Sequence, residues 1–170
     1  MPIVGSGDIA SVLPDRDDLL FFASGVSNSR EDRESEYQRE VDLLLEQPRD
    51  AHLVYFSSLA VLNGMGRYLD HKRRMEELVR DEFKRYTIVR IGNIAWGDNP
   101  NTLINYMRGQ VQRGEQLYIQ DVWRYVVDQD EFSHWIEQIP DWNCEINIPG
   151  RRMKVKEIAD EYAYVGIRPK

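Results

Sequence analysis

The chain has 170 residues, 42% of them hydrophobic and 30% charged, with a net charge of −7. That is enough chain for one domain with a sizeable core, and an ordinary balance for a soluble globular protein. The acidic excess argues against nonspecific binding to nucleic acid or an anionic membrane surface, and no apolar run approaches the length of a membrane span. A single cysteine, Cys144, allows no intrachain disulfide and fits a reducing compartment. The start, MPIVGSGDIA, lacks the basic-then-apolar pattern of a leader, so a cytoplasmic protein is expected. His52, His71 and His134 are scattered and, with one Cys, give no metal-ligand spacing.

Residues 2–4 are a short apolar run, followed by Gly5-Ser6-Gly7-Asp8-Ile9-Ala10, a GxGxxA pattern ahead of a predicted helix over Ile9–Leu13. Glycines in such a place let the backbone approach a pyrophosphate at a helix N-terminus; a tight turn is the simpler alternative, and Asp8 would repel a phosphate. Pro14–Asp18 reads as a turn and Leu19–Ala23 as a continuous apolar strand buried on both faces. Ser24-Gly25-Val26-Ser27-Asn28-Ser29 follows. Small residues at the carboxyl end of a strand are where open α/β sheets take ligands, and Ser29 is also a candidate N-cap. A charged helix is predicted over Arg30–Gln47, with Tyr37, Val41, Leu44 and Leu45 as its apolar stripe and Pro48 as its stop.

Leu53–Phe56 is the next strand and leads into Ser57 and Ser58. Nine residues, 59–67, separate Ser58 from Tyr68, which opens a helix carrying Lys72. The i,i+4 spacing puts Tyr68 and Lys72 on one helical face. An ammonium beside a phenol favours the phenolate, so Tyr68 is a candidate general acid or base near neutral pH, and a strand-end serine can hold the same substrate oxygen. Met75, Leu78, Val79 and Phe83 supply that helix's packing side. Tyr86–Ile91 is another buried strand, followed by Gly92-Asn93-Ile94-Ala95-Trp96-Gly97. Asn99-Pro100-Asn101-Thr102 reads as a helix start with Asn101 as a candidate N-cap. A short strand is predicted over Gln116–Ile119. Trp123–Asp130 carries Arg124, whose guanidinium suits phosphate oxygens. Phe132, Trp135, Ile136 and Ile139 mark a helix, Cys144–Ile148 a late strand, and Val155, Ile158, Ala159 and Tyr162 a final helix. The alternation of strands and helices predicts a doubly wound parallel sheet covered on both faces.

Taken in order, GxGxxA, strand-Ser-Ser, Tyr68-x-x-x-Lys72, Arg90-x-x-Asn93, Pro100-Asn101-x-Leu103 and Arg124-Tyr125…Asp130 resemble the signatures of the extended short-chain dehydrogenase/reductase superfamily, its NAD-dependent epimerase/dehydratase family, over nearly the whole chain. The resemblance implies a Rossmann-like α/β fold with a small C-terminal substrate-binding region, NAD or NADP as cofactor, and a nucleotide-sugar substrate. It implies Ser58, Tyr68 and Lys72 as catalytic residues. It implies Gly5, Ser6, Gly7, Asp8, Ile9, Ala23, Ser24, Gly25, Tyr68, Lys72, Gly92 and Ile94 as cofactor-binding, and Asn93, Asn101 and Arg124 as substrate-binding. A homodimer through helices 30–47 and 68–84 is implied in the same way. Counting back from Asp130, the position usual for a diphosphate-binding arginine holds Trp123, with Arg124 beside it. Leu59 and Ala60 stand where the related dehydratases carry Asp-Glu, which leans against a dehydratase.

The chain resembles the family in a shortened form. Only Ser11–Asp18 lie between the glycine-turn helix start and the strand that resembles the family's fourth, so the usual second and third strands have no room. The residue that reads the adenosine ribose is absent with them. Residues 1–170 are accordingly read as a single shortened domain. Two functions follow: an NAD(P)-dependent oxidoreductase or epimerase-type enzyme acting on a nucleotide-sugar, or a non-catalytic nucleotide-sugar-binding or scaffold protein that has lost dinucleotide binding.

Overall fold

The computed structural model describes residues 3–165. A parallel five-stranded sheet forms the centre, in the order β1 (Ile3–Val4), β2 (Leu20–Phe22), β3 (His52–Ser58), β4 (Arg85–Ile91), β7 (Cys144–Ile148). Strand β3 is its middle and is buried along nearly its whole length. Alternation sends Leu53 and Tyr55 to one face, where α1 (Glu34–Leu45) and α2 (Arg67–Glu82) pack with Val41, Leu44, Met75 and Val79. Val54 and Phe56 face the other side and meet Phe132 and Ile136 of α4 (Gln129–Glu137). Each large side chain fully buried this way contributes about 1.5–3 kcal/mol to folding.

A smaller sheet, in the order β5 (Asn93–Ile94), β6 (Trp123–Val127), β8 (Arg151–Lys154), is covered by α3 (Leu103–Gln112) and α5 (Val155–Ile158) with its π-helical extension Ala159–Ala163. This is the C-terminal region beside the main sheet.

Strand order along the main sheet never reverses. The covering elements change sides instead. The β1–β2 connection, with Ile9, Val12 and Leu13, packs on the α4 face, while the β2–β3 connection, through α1, packs on the opposite face. Both connections step the same way along the sheet, so they have opposite hands and one departs from the usual right-handed crossover. The two connections diverge at the carboxyl ends of β1 and β2, the kind of position where open α/β sheets take ligands.

Several predicted elements shift. The helix expected over Ile9–Leu13 is a three-residue 3₁₀ turn, Ala10–Val12. The charged helix begins at Glu34 rather than Arg30, because Asn28 holds the chain in a turn: its side chain accepts from Arg30 N and its carbonyl from Glu31 N. Ser29 is therefore not its N-cap. Residues 116–119 form no strand and pair with none among the described residues, although Leu117 is buried against the small-sheet core. No helix among the described residues is long and apolar enough to cross a membrane.

Candidate functional site

Tyr68 and Lys72 sit on the first turns of α2, which starts after Gly66 at φ +117°, a backbone conformation that favours glycine. The Lys72 ammonium lies 5.7 Å from the centre of the Tyr68 ring. It is almost wholly buried and hydrogen-bonds Glu40 Oε1 at 3.1 Å and Tyr55 Oη at 3.2 Å. Glu40 comes from the apolar stripe of α1 and is 0% exposed. Its carboxylate also accepts from Val26 N at 2.9 Å and Tyr55 Oη at 2.6 Å, and bonds His71 Nε2 at 2.9 Å. Gly25, just past β2, closes the cluster: a Cβ there would lie 2.6 Å from Lys72 Nζ and 2.8 Å from Glu40 Oε1. Thus α1, α2, β3 and the end of β2 meet on one ion pair.

The electrostatics follow from this packing. Burial alone would raise the Glu40 carboxyl, but the Lys72 charge and the hydrogen bonds from His71, Tyr55 and Val26 hold it well below the usual carboxylate range. Burial works against the Lys72 ammonium, yet Glu40 and Tyr68 keep its pKa above the ordinary value. Tyr68 departs from the sequence expectation. Burial pushes its phenol upward, Lys72 pulls it down, and Glu40 adds to the rise, so the net direction is up. Lys72 has its own counter-ion, which the i,i+4 spacing alone could not reveal.

Ser58 ends β3 with its Oγ accepting from Ala60 N at 3.2 Å, which leaves the hydroxyl proton for a ligand. Strand alternation places it on the α4 side, whereas Ser57 turns toward α2. Ser57 Oγ is buried with no hydrogen-bond partner among the described residues. The structure draws neither serine into a hydrogen bond with Tyr68 or Lys72.

The glycine turn lies against the end of β2. Gly5 has φ +126°, and a Cβ on it would lie 2.2 Å from Ala23 O. Ser6 and Gly7 are exposed, and nothing stands within 4 Å of a Cβ built on Gly7, so the backbone is open there. Asp8 does not face this opening as a free charge: its carboxylate accepts from Asp98 N at 3.0 Å and Asn99 N at 2.9 Å, and its carbonyl accepts from Trp96 Nε1 at 3.1 Å. Ile9 packs on the α4-side core. Ser24 is held by Arg39, which donates to its carbonyl at 3.1 Å and its Oγ at 3.3 Å.

The remaining expected residues line the junction with the small sheet. Gly92 sits where a Cβ would meet Pro149 O at 2.5 Å, and Ile94 packs against the α4-side core. Asn93 donates its side-chain amide to Tyr125 O at 2.9 Å. Asn101 is exposed and its side chain makes no hydrogen bond among the described residues; the N-cap of α3 is Thr102, which accepts from Asn105 N. Arg124 is exposed, donates to Trp123 O at 3.0 Å and forms no ion pair among the described residues. Trp123 carries Arg152 over its ring at 4.1 Å.

A dinucleotide fits part of this arrangement. Lys72 keeps one N–H beyond those given to Glu40 and Tyr55, with Nζ close beside Gly25, and Gly7 has open space around its backbone beside β2. The three-residue turn after the glycines provides no helix N-terminus for the pyrophosphate, and no strand follows to hold the adenosine end.

No protein-family model matches the chain, and a comparison with curated proteins gives no significant match. Solved structures do match. A hypothetical dTDP-4-dehydrorhamnose reductase from Sulfolobus tokodaii superposes with a TM-score of 0.63 at 13% identity, over 90% of this chain and 63% of the other. A UDP-galactose 4-epimerase gives 0.62 at 15% identity, again over 90% and 63%. UDP-glucuronic acid 4-epimerase from Bacillus cereus, in complex with UDP-glucuronic acid and NAD, gives 0.59 at 14% identity, over 79% and 51%. Across the matched structures the chain spans from 44% to 63% of their length. The chain has the fold of the NAD-dependent epimerase/dehydratase-type short-chain dehydrogenase/reductase proteins, in a shortened form.

Proposed function

We propose that this chain is an NAD(P)-dependent oxidoreductase of the epimerase type, working on a nucleotide-sugar at Ser58, Tyr68 and Lys72. The observation that carries this reading is the placement of the Lys72 ammonium beneath Gly25, with the Tyr68 ring 5.7 Å away. That placement brings the α2 pair to the carboxyl end of β2. Nicotinamide, when bound, supplies the hydride chemistry; the protein's residues manage the proton and the geometry. Tyr68 exchanges a proton with the sugar oxygen. Because its phenol is held above the ordinary range, it enters in the protonated state, as a donor to a keto-sugar oxygen in the reducing direction. Ser58 orients the same oxygen with its free hydroxyl proton. Lys72 offers its remaining N–H to the ribose beside Gly25. Asn93, Asn101 and Arg124 are assigned to the nucleotide-sugar, with Arg124 on its diphosphate.

Removing the Tyr68 hydroxyl tests the assignment. Tyr68→Phe should lower turnover by about 10²–10⁴-fold, since general acid catalysis is worth that much. Turnover that survives this change would refute the mechanism.

A further inference from the structure

The buried carboxylate under Lys72 is not used by any step above, and it is the most highly coordinated side chain near the site. Glu40 is 0% exposed and engages one backbone donor and three side chains from two other elements. From these contacts we infer that Glu40 is a positioning residue: it fixes the Lys72 ammonium against the end of β2 and neutralises it there, so that Lys72 serves as a directed hydrogen-bond donor and not as a free charge on Tyr68. This role rests on the assignment of Tyr68 and Lys72 proposed above.

The geometry leaves little freedom. Two of the three Lys72 N–H bonds are committed, to Glu40 and to Tyr55, and Tyr55 Oη is itself bound to Glu40 at 2.6 Å. The third makes no hydrogen bond among the described residues, and Nζ stands so close to Gly25 that a side chain there would collide with it. His71, next to Lys72 in sequence, binds the second carboxylate oxygen at 2.9 Å and prevents Glu40 from rotating away. The other charged or titratable groups facing this cluster are Arg39 and Tyr37 from α1, Tyr55 from β3 and Glu76 from α2. None of them replaces Glu40 as a direct counter-ion of Lys72.

The test reads Tyr68 itself. In the full chain with ¹³Cζ-labelled tyrosine, the Tyr68 signal is identified by its loss in Tyr68→Phe and titrated by NMR. Glu40→Gln leaves the Lys72 charge unopposed, so Tyr68 should titrate at a pH lower by about one unit or more. Lys72→Met leaves Glu40 unopposed and should move the midpoint upward. The double variant carries neither charge and should titrate close to the wild type. A Glu40 that does not offset the Lys72 charge at Tyr68 produces no such signed pattern. An unchanged or raised midpoint in Glu40→Gln overturns the inference. Should that variant not fold, the double variant decides: a midpoint displaced by about a unit or more from the wild type overturns it. The readout needs no substrate. Absence of turnover with the signed pattern intact would count against the proposed function alone.

Discussion

Lys72 and Glu40 are each costly to bury alone, since a charge removed from water without a partner loses several kcal/mol. Together, with Tyr55, His71 and Val26 N filling the remaining positions, they form a compensated cluster. Glu40→Gln should therefore cost about 3–5 kcal/mol, and the Glu40→Gln/Lys72→Met pair less than that, measured by urea unfolding. The pH dependence has a definite sign. Glu40 is held below its unfolded pKa of 4.5, so its contribution is complete above that value and is lost as pH falls below it. Wild-type stability should drop from about pH 5 downward, and Glu40→Gln should flatten that limb; equal slopes would show that Glu40 is not depressed. Gly25→Ala brings a methyl within 2.6 Å of Lys72 Nζ. It should cost about 1–3 kcal/mol through displacement of the pair, checked by the same unfolding series. Tyr68, Lys72 and Ser58 could be picked out from the sequence as candidates, because a spacing and a strand end are local. It did contain a hint of Glu40, a carboxylate at i+3 from Tyr37 and adjacent to Val41 in an otherwise apolar stripe. The partner of that carboxylate lies on a different helix, and no periodicity within α1 identifies it.

Among the elements, the glycine turn differs most from expectation. GxGxxA predicted a helix N-terminus, but only one 3₁₀ turn follows, because the chain must reach β2 within a few residues. Asp8 has a structural task instead: its carboxylate caps the 97–99 turn, and Gly97, at φ +89°, would drive a Cβ to 2.1 Å from Asp8 Cγ. Asp8→Ala leaves two backbone N–H groups without acceptors and should cost about 1–3 kcal/mol in urea unfolding. A loss near zero would mean that water replaces the carboxylate freely. The helices and the long strands were legible because their periods are strong: Tyr37, Val41 and Leu44 for α1, and the all-apolar Leu53–Phe56 for β3. Residues 116–119 misled for the same reason. Leu117 is apolar because it packs on the small-sheet core, and burial alone does not supply a neighbouring strand.

Across the whole molecule, the five-stranded order without reversal is what a Rossmann-like sheet becomes when two strands are absent on one side of β1. The shortened sheet was legible from the few residues between Gly7 and Leu19. The opposite hands of the first two connections were not, since they depend on which face each connection covers. On the proposed reading, Gly25, Lys72 and Tyr68 would serve the nicotinamide side of a bound dinucleotide, and the adenosine side would have fewer partners. Affinity for a dinucleotide should accordingly come from the ribose and pyrophosphate near Gly5 and Gly25. The most direct measurement is calorimetric titration of the full chain with NAD, NADH, NADP and NADPH, each with and without UDP-, GDP- and dTDP-sugars, in wild type and Lys72→Met. Binding of one dinucleotide at micromolar concentration, weakened at least tenfold in Lys72→Met, is the predicted result. A nucleotide-sugar bound with no dinucleotide under any condition would contradict it, and would make the cleft a cofactor-free binding site.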